Sequence, residues 1–424
     1  MARRLGSVSG RNNSRDWWRA LNGGPAIQTI RIPVKFTDLA DGSEKFQIQE
    51  WPILDPHSVV SFLFEDAKLS IPQQAIHRYW EHHCRFGEPW AQNTATHGMV
   101  PLGLFGDSAR ASTAFGHVNV VGIFMNIILF RPKSIRLSRY LLFAIEDEKL
   151  WGHHTLNTVY RRVCWSLRAC FQGIHPCYDQ YGKELPARLK KVAGSPLTSS
   201  HTKFVVTEVR GDWQWHKKVF RFPGVSWNGL SMCYHCRARS KGQWPDLYWN
   251  LGETTTWDQH EFTLAEFLEE RIPSRGICPL IQLPNFHPSC IRWCLMHVLH
   301  LGLLFTANGS GLNLLIRAGY FGAVGDHPRA LLLLRAYEHF KAFCRSKKIA
   351  CSQSAFKERN IYKKNGDISL SLKAYNGRCV LAWLSEVVYE ASLNPEFAAV
   401  DERFDLIAAA LTLGIFIGPC VGIK

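Results

Sequence analysis

Negative charge is scarce in this chain. Asp and Glu number 35 against 50 Lys and Arg, giving a formal net charge of +15. With a pI near 9.3, that balance suits a polyanionic partner such as DNA or RNA. The competing reading is a basic protein with no such partner. No Gly-x-x-x-x-Gly-Lys tract occurs, so nothing supports a P-loop nucleotide site. A Gly-x-Ser-x-Gly elbow is also missing, which removes support for a nucleophilic serine or cysteine of that kind. There is no internal repeat and no low-complexity tract. Met1 to Gly24 lacks the apolar stretch of a secretory signal; its only acid is Asp16. We read it as a disordered basic arm, with a mitochondrial presequence as the alternative.

Thirteen cysteines are scattered without a small disulfide framework. A chain of 424 residues needs no such staples, so mostly reduced, buried thiols are expected, as in a nuclear or cytoplasmic protein. Hydrophobic residues make up 46% and charged residues 20%, the balance of a globular protein rather than a disordered one. Fifteen tryptophans argue for substantial buried or stacking surface. The nearly uncharged run from Leu406 to Ile423 is expected to be a core helix, with a tail anchor as the alternative. A membrane is otherwise not the expected partner.

Along the chain, residues 1–26 form the arm and 27–96 an N-terminal α/β extension. The extension holds a strand from Ile27 to Phe36, then Pro and Asp turns, then a helix from about Pro72 to Cys84. The histidines of that helix (His77, His82, His83) are read as a solvated face. Residues 97–221 read as strand (Met99–Asp107), strand (Val118–Phe130), strand (Tyr140–Ile145), helix (Trp151–Phe171), strand (Lys203–Gly211) and a helix start. Residues 222–372 are a Cys- and His-containing, mostly helical insertion. Residues 373–424 are helices expected to complete the core, and the chain's end suggests truncation there.

Two tracts carry the most information: Leu102-Gly103-Leu104-Phe105-Gly106-Asp107 and Val205-Val206-Thr207-Glu208-Val209-Arg210-Gly211-Asp212. Each is an apolar or β-branched run that ends in Gly-Asp. Strands ending this way, set side by side, would bring two carboxylates to one rim, where they could share divalent metal ions. The alternative is that each aspartate is a turn or helix-cap residue.

The strand order with these acids resembles the ribonuclease H-like core of DDE transposases. The tracts Pro-Leu-Gly-Leu-Phe-Gly-Asp-Ser-Ala-Arg, Arg-Gly-Asp-Trp-Gln-Trp-His, Cys-x-x-Cys and Met-His-x-x-His-Leu-Gly occur in the order seen in transposase-derived proteins of the CACTA-like type. That family is expanded in some protist genomes, and the resemblance covers roughly residues 50–400. It implies an α/β fold, a mixed five-stranded sheet with flanking helices, and DNA cleavage and strand transfer by two Mg²⁺ (or Mn²⁺) ions. It also implies that Asp107 and Asp212 are the first two metal-binding acids. Glu386 is the best match to the third, and Glu390, one turn on, is its alternative. Two departures stand out. Arg292-Trp293-Cys294-Leu295 precedes the Met-His tract where many relatives carry an acid, and the chain stops soon after the third-acid region.

Cys233-x-x-Cys236 has the spacing of half a structural zinc site, and His297 with His300, at helical i, i+3 spacing, could supply the rest. Unmetallated buried thiols with a core histidine are the alternative. Basic residues interleave with aromatics around Arg161, Arg162, Arg168, Lys190 and Lys191. They do so again around Trp213, Trp215, Lys217, Lys218 and Arg221, where side chains could track phosphates while rings stack on unpaired bases. Solvated helix faces with core tryptophans are the competing account. The expected partner is DNA, self-association is compatible with the family, and no small-molecule cofactor is implied. Two rival readings remain beside the enzyme: a catalytically degenerate or domesticated relative that only binds nucleic acid, and a non-enzymatic interaction module.

Overall fold

A computed structural model describes residues 24–398, apart from 39, 114–115, 227–228, 244–245, 251, 258–260, 274–275 and 364–365. The expected arm up to residue 23 and the apolar run from Leu406 lie outside the described residues. The chain forms two compact units, divided between Trp293 and Cys294.

The first unit opens with a two-stranded antiparallel ribbon, β1 (Gln28–Thr37) and β2 (Glu44–Ile53). β1 alternates cleanly, with Ile30, Ile32 and Val34 buried. β2 is polar and mostly exposed, so its sequence reads as turns although it pairs along its whole length. After it comes helix α1 (Pro56–Glu65), also hidden among the expected turns, with Pro56 at its first position where the missing N–H costs nothing. The carboxylate of Asp55 does not cap α1. It accepts two hydrogen bonds from Arg162, from Nε at 2.8 Å and Nη2 at 2.6 Å. Arg162 lies on the long helix α3 (Gly152–Gln172), so this buried pair ties the extension to the layer over the main sheet. Between them, α2 (Gln73–Arg85) matches the expected helix.

The main sheet has five strands in the order β5-β4-β3-β6-β7. These are β3 (Val100–Thr113), β4 (Gly116–Ile127), β5 (Tyr140–Glu146), β6 (Phe204–Arg210) and β7 (Ile291–Arg292). β3–β4 and β4–β5 are antiparallel, while β3–β6 and β6–β7 are parallel. The parallel step from β5's side of the sheet to β6 runs through α3, whose buried stripe includes Leu156, Val159, Tyr160, Val163 and Leu167. Gly173, at φ 77°, closes α3 by donating its N–H to Ala169 and Cys170 carbonyls. A further helix, α4 (Trp213–Phe220), links β6 toward β7. This mixed sheet with flanking helices is compatible with a ribonuclease H-like core. Its fifth strand falls inside the range 222–372 that the sequence marks as insertion. That range is largely irregular as far as β7, with one capping-box helix, α5 (Leu264–Glu270).

The second unit is helical. A π-helical stretch, Met296–Leu303, runs into α6 (Leu304–Arg317), followed by α7 (Arg329–Ser346) and α8 (Ala374–Ser392). Leu312, Leu315, Leu333, Phe340, Trp383 and Val388 are among its buried core residues. The Trp383 indole N–H donates to His339 Nδ1 at 2.9 Å. The expected last helix is present as α8, and its apolar stripe is packed into the core of this unit. Met296–Arg317 is long and apolar enough to cross a bilayer by length and composition alone.

Candidate active site

The two Gly-Asp tracts come together. β3 and β6 pair in parallel, with Leu104 opposite Val209 and Phe105 opposite Arg210. The last registered pair, Phe105 and Arg210, stands two residues before Asp107 and Asp212 on their respective segments, so the two Gly-Asp ends leave the paired part of the sheet together. An independent contact brings the two Gly-Asp tracts to the same ring. The indole of Trp215 lies across both glycines, so that a Cβ on Gly106 would stand 1.8 Å from Cε2 and one on Gly211 would stand 2.3 Å from Cε3. Neither glycine has a positive φ. They are glycines because a six-membered ring edge and a pyrrole edge occupy the space where side chains would be.

The tracts end differently, and one departs from expectation. Asp107 does not close its strand, because β3 continues to Thr113 against β4. What stops near Asp107 is the pairing with β6, which leaves β3 and β4 running on as a ribbon. Asp107 Oδ1 accepts the Ser108 N–H at 2.8 Å. β6, by contrast, does end at Arg210, and Asp212 is the N-cap of α4, its Oδ1 accepting the Trp215 N–H at 2.6 Å. The capping role weighed for Asp212 is thus real, and it also orients the carboxylate. A pocket of about 430 Å³ opens here, lined by Ser108, Asp212, Gln214, Trp215, Lys217 and Lys218. Lys218 pairs with Asp147, and Lys217 makes no ion pair among the described residues.

Sequence reasoning missed two features of β6. Thr207 is an extra residue in its ladder, since Leu102 faces Val206 while Gly103 faces Glu208, and Tyr79 meets its hydroxyl at 2.7 Å. Glu208 is buried and ion-paired with Arg210. A lone acid in an otherwise apolar strand was the available signal.

Glu386 stands on the exposed face of α8 in the second unit, with Lys347 Nζ 2.8 Å from its Oε1. Glu390 is exposed on the same helix. Cys233 and Cys236 belong to the first unit. Their thiols share a hydrogen bond that pushes Cys233 up and brings Cys236 down to about 7. Arg271 clasps the turn, donating from Nε to the Cys233 carbonyl at 3.2 Å and from Nη2 to the Cys236 carbonyl at 3.3 Å. His297 and His300 belong to the second unit, where the expected shared helix face is lost. A π-helix bonds i to i+5 and winds more widely, so residues three apart no longer stack. Accordingly His297 Nδ1 meets Cys294 Sγ at 3.1 Å while His300 is buried. Among the described residues, no three His, Cys, Asp or Glu side chains cluster to hold a metal ion.

Of the basic and aromatic groups, Arg161, Arg168, Lys190 and Lys191 are exposed, whereas Arg162 is buried against Asp55. Trp213 and Trp215 are buried, so neither ring is open to a base. His77 and His82 do face solvent, but His83 is half-buried and pushed down to about 4 by that burial and by Arg292. No protein-family model and no curated protein matches this chain.

Proposed function

We propose that the protein is a DDE transposase-like enzyme that cleaves and joins DNA phosphodiesters with divalent metal ions held at Asp107 and Asp212. The observation that carries this reading is the parallel pairing that brings the two Gly-Asp tracts together, with Phe105 opposite Arg210 and the indole of Trp215 against both Gly106 and Gly211. Two hard carboxylate donors suit Mg²⁺, which takes one or two carboxylates together with substrate phosphate and water. Such an ion would supply charge neutralisation at phosphorus and a more acidic bound water. Around it, Lys217, Gln214 and Ser108 line a pocket able to hold a phosphate backbone, and the net charge of +15 draws the polyanion in.

A second reading has its own support. Glu386 is engaged with Lys347 on a solvent-facing helix, which favours a relative that keeps the DNA-binding surface without a full set of acids. A structural zinc at Cys233 and Cys236 also belongs to the proposal, because two hydrogen-bonded thiols, one of them near neutral in pKa, suit a thiophilic ion.

The deciding experiment is nicking of supercoiled plasmid by the purified protein with Mn²⁺ or Mg²⁺. Asp212→Asn isolates the charge, since asparagine caps a helix as well as aspartate does. Nicking that falls to background in Asp107→Asn and Asp212→Asn supports catalysis. Nicking that survives both removes this site, and DNA binding without nicking in any form selects the second reading.

A further inference from the structure

Beside the aspartate pair stands an aromatic group that the enzyme reading does not use. β7 pairs with β6 so that Val209 faces Ile291 and Arg210 faces Arg292. Trp293 directly follows the last paired residue of β7, as Gly211 and then Asp212 follow the last paired residue of β6. Trp293 is 40% exposed. Of the tryptophans among the described residues, only Trp249 shares that exposure, and in the chain it falls in the irregular segment between α4 and α5.

The indole of Trp293 does not hang loose. Its ring is stacked on Tyr234 at 4.4 Å and lies nearly parallel to Trp213 at 5.8 Å, 9° between planes. Tyr234 is fully buried, stacks in turn on Phe222 at 4.6 Å, and its hydroxyl meets His216 Nδ1 at 3.0 Å. Trp213 is the first residue of α4, directly after Asp212. A column of rings anchored in the core therefore ends in a partly open indole at the strand edge that carries the candidate carboxylates. A rigid, half-open π-surface is matched by another flat π-surface, and stacking on one loses little conformational freedom. Charge selects among flat ligands. Lys217 is unpaired among the described residues, and the chain as a whole is strongly cationic, so the ligand that fits carries phosphate as well as a ring.

We infer that Trp293 is a stacking platform for an unpaired nucleobase of the bound strand, next to the phosphodiester presented to Asp107 and Asp212. This rests on the nucleic-acid reading above and adds that the strand is unpaired at this point. A duplex keeps its bases stacked on one another and offers the indole no free face.

The test uses the full chain in EDTA, so that no cleavage contributes. A short single-stranded oligonucleotide carrying one 2-aminopurine reports stacking through quenching of that base, and an unlabelled duplex of the same length serves as reference. Trp293→Ala is expected to weaken single-strand binding roughly tenfold and abolish the quenching. The slope of affinity against salt should stay unchanged, because stacking releases no counterions. Trp293→Phe should restore quenching in part, and duplex binding should be the same in all three proteins. Unchanged single-strand affinity and quenching in Trp293→Ala overturn the inference, as does an equal loss on duplex. Failure of the wild-type protein to bind any nucleic acid overturns the nucleic-acid reading itself, whereas intact binding with no dependence on Trp293 overturns only the platform. Should Trp293→Ala misfold, Tyr234→Phe provides the second arm. It removes the bond to His216 while keeping the column, and on this account it leaves affinity intact and loosens the quenching.

Discussion

Gly106→Ala separates the geometric account of the Gly-Asp pairs from a bland one. In an ordinary strand interior, replacing glycine by alanine stabilises by about 0.5–1 kcal/mol, because glycine surrenders more chain entropy on folding. Here the added methyl would stand 1.8 Å from Trp215 Cε2 and 2.0 Å from Cζ2 and Nε1. Ring atoms cannot yield as a flexible chain end would. The indole must therefore swing away from β3, at a cost of about 1–3 kcal/mol for overpacking. Because the same residue donates its backbone N–H to Asp212, disturbing it also weakens the cap, adding about 1 kcal/mol. The sign thus reverses, to a net loss of about 2–3 kcal/mol.

Urea unfolding of the full chain reads this as a fall of about 1 M in the midpoint of the affected transition, given slopes of about 1–3 kcal/mol per molar. The informative partner is Trp215→Leu, which on its own costs stability by leaving a void. Combined with Gly106→Ala, the methyl enters that void, so the double variant should be more stable than the sum of the singles by about 1–3 kcal/mol. Additivity within about 0.5 kcal/mol, or a stabilising Gly106→Ala, would refute the shared-indole alignment. With it would go the independent support for bringing the two Gly-Asp tracts together.

Arg162→Ala strands the Asp55 carboxylate, which is 1% exposed, and should lower stability by about 3–5 kcal/mol in a calorimetric or denaturant melt; a loss below about 1 kcal/mol contradicts the pairing described. Acid should destabilise the first unit between about pH 6.5 and 4. Burial pushes His57 and His235 down to about 4 and His216 to about 3. The unfolded chain then binds more protons across that window, and stability falls as pH falls and is flat above it. His57 alone contributes up to roughly 3 kcal/mol, and a melting temperature constant from pH 7 to 5 would count against these burials. Glu386→Gln should leave both melting temperature and any nicking unchanged, since an exposed ion pair contributes about 0–1 kcal/mol; loss of nicking would make Glu386 the third acid after all. Zinc, if present, should drop by about one equivalent per chain in Cys233→Ser by elemental analysis, and equal content in both proteins removes the metal from that turn.

Much of the sheet was legible because its strands obey period two or run apolar throughout, and α3 because Leu156, Val159, Val163 and Leu167 keep helical spacing. β2 and α1 were not. β2 buries almost nothing, so no alternation marks it, and α1 begins with the Asp-Pro pair that elsewhere signals a turn. β7 is two residues long, and a ladder that short is set by its neighbour rather than by its own composition. The π-helical winding at Met296–Leu303 is likewise invisible to a pattern argument that assumes α-helical spacing.

The site divides along the same line between local and tertiary information. Gly-Asp spacing announced the two carboxylates, yet the reason for each glycine lies in a third place, Trp215, which the sequence left open between a base-stacking ring and a core tryptophan. Its ring is long enough to span two strands about 4.8 Å apart, and so one buried side chain aligns two backbones separated by about a hundred residues. The proposed stacking role falls instead to Trp293, which the sequence marks only as part of the Arg292-Trp293-Cys294-Leu295 tract; a two-residue strand and a buried tyrosine set its position. Local patterns thus located the two Gly-Asp tracts of this chain, while the rings that pack against and beside them depend on packing that only the folded sheet defines.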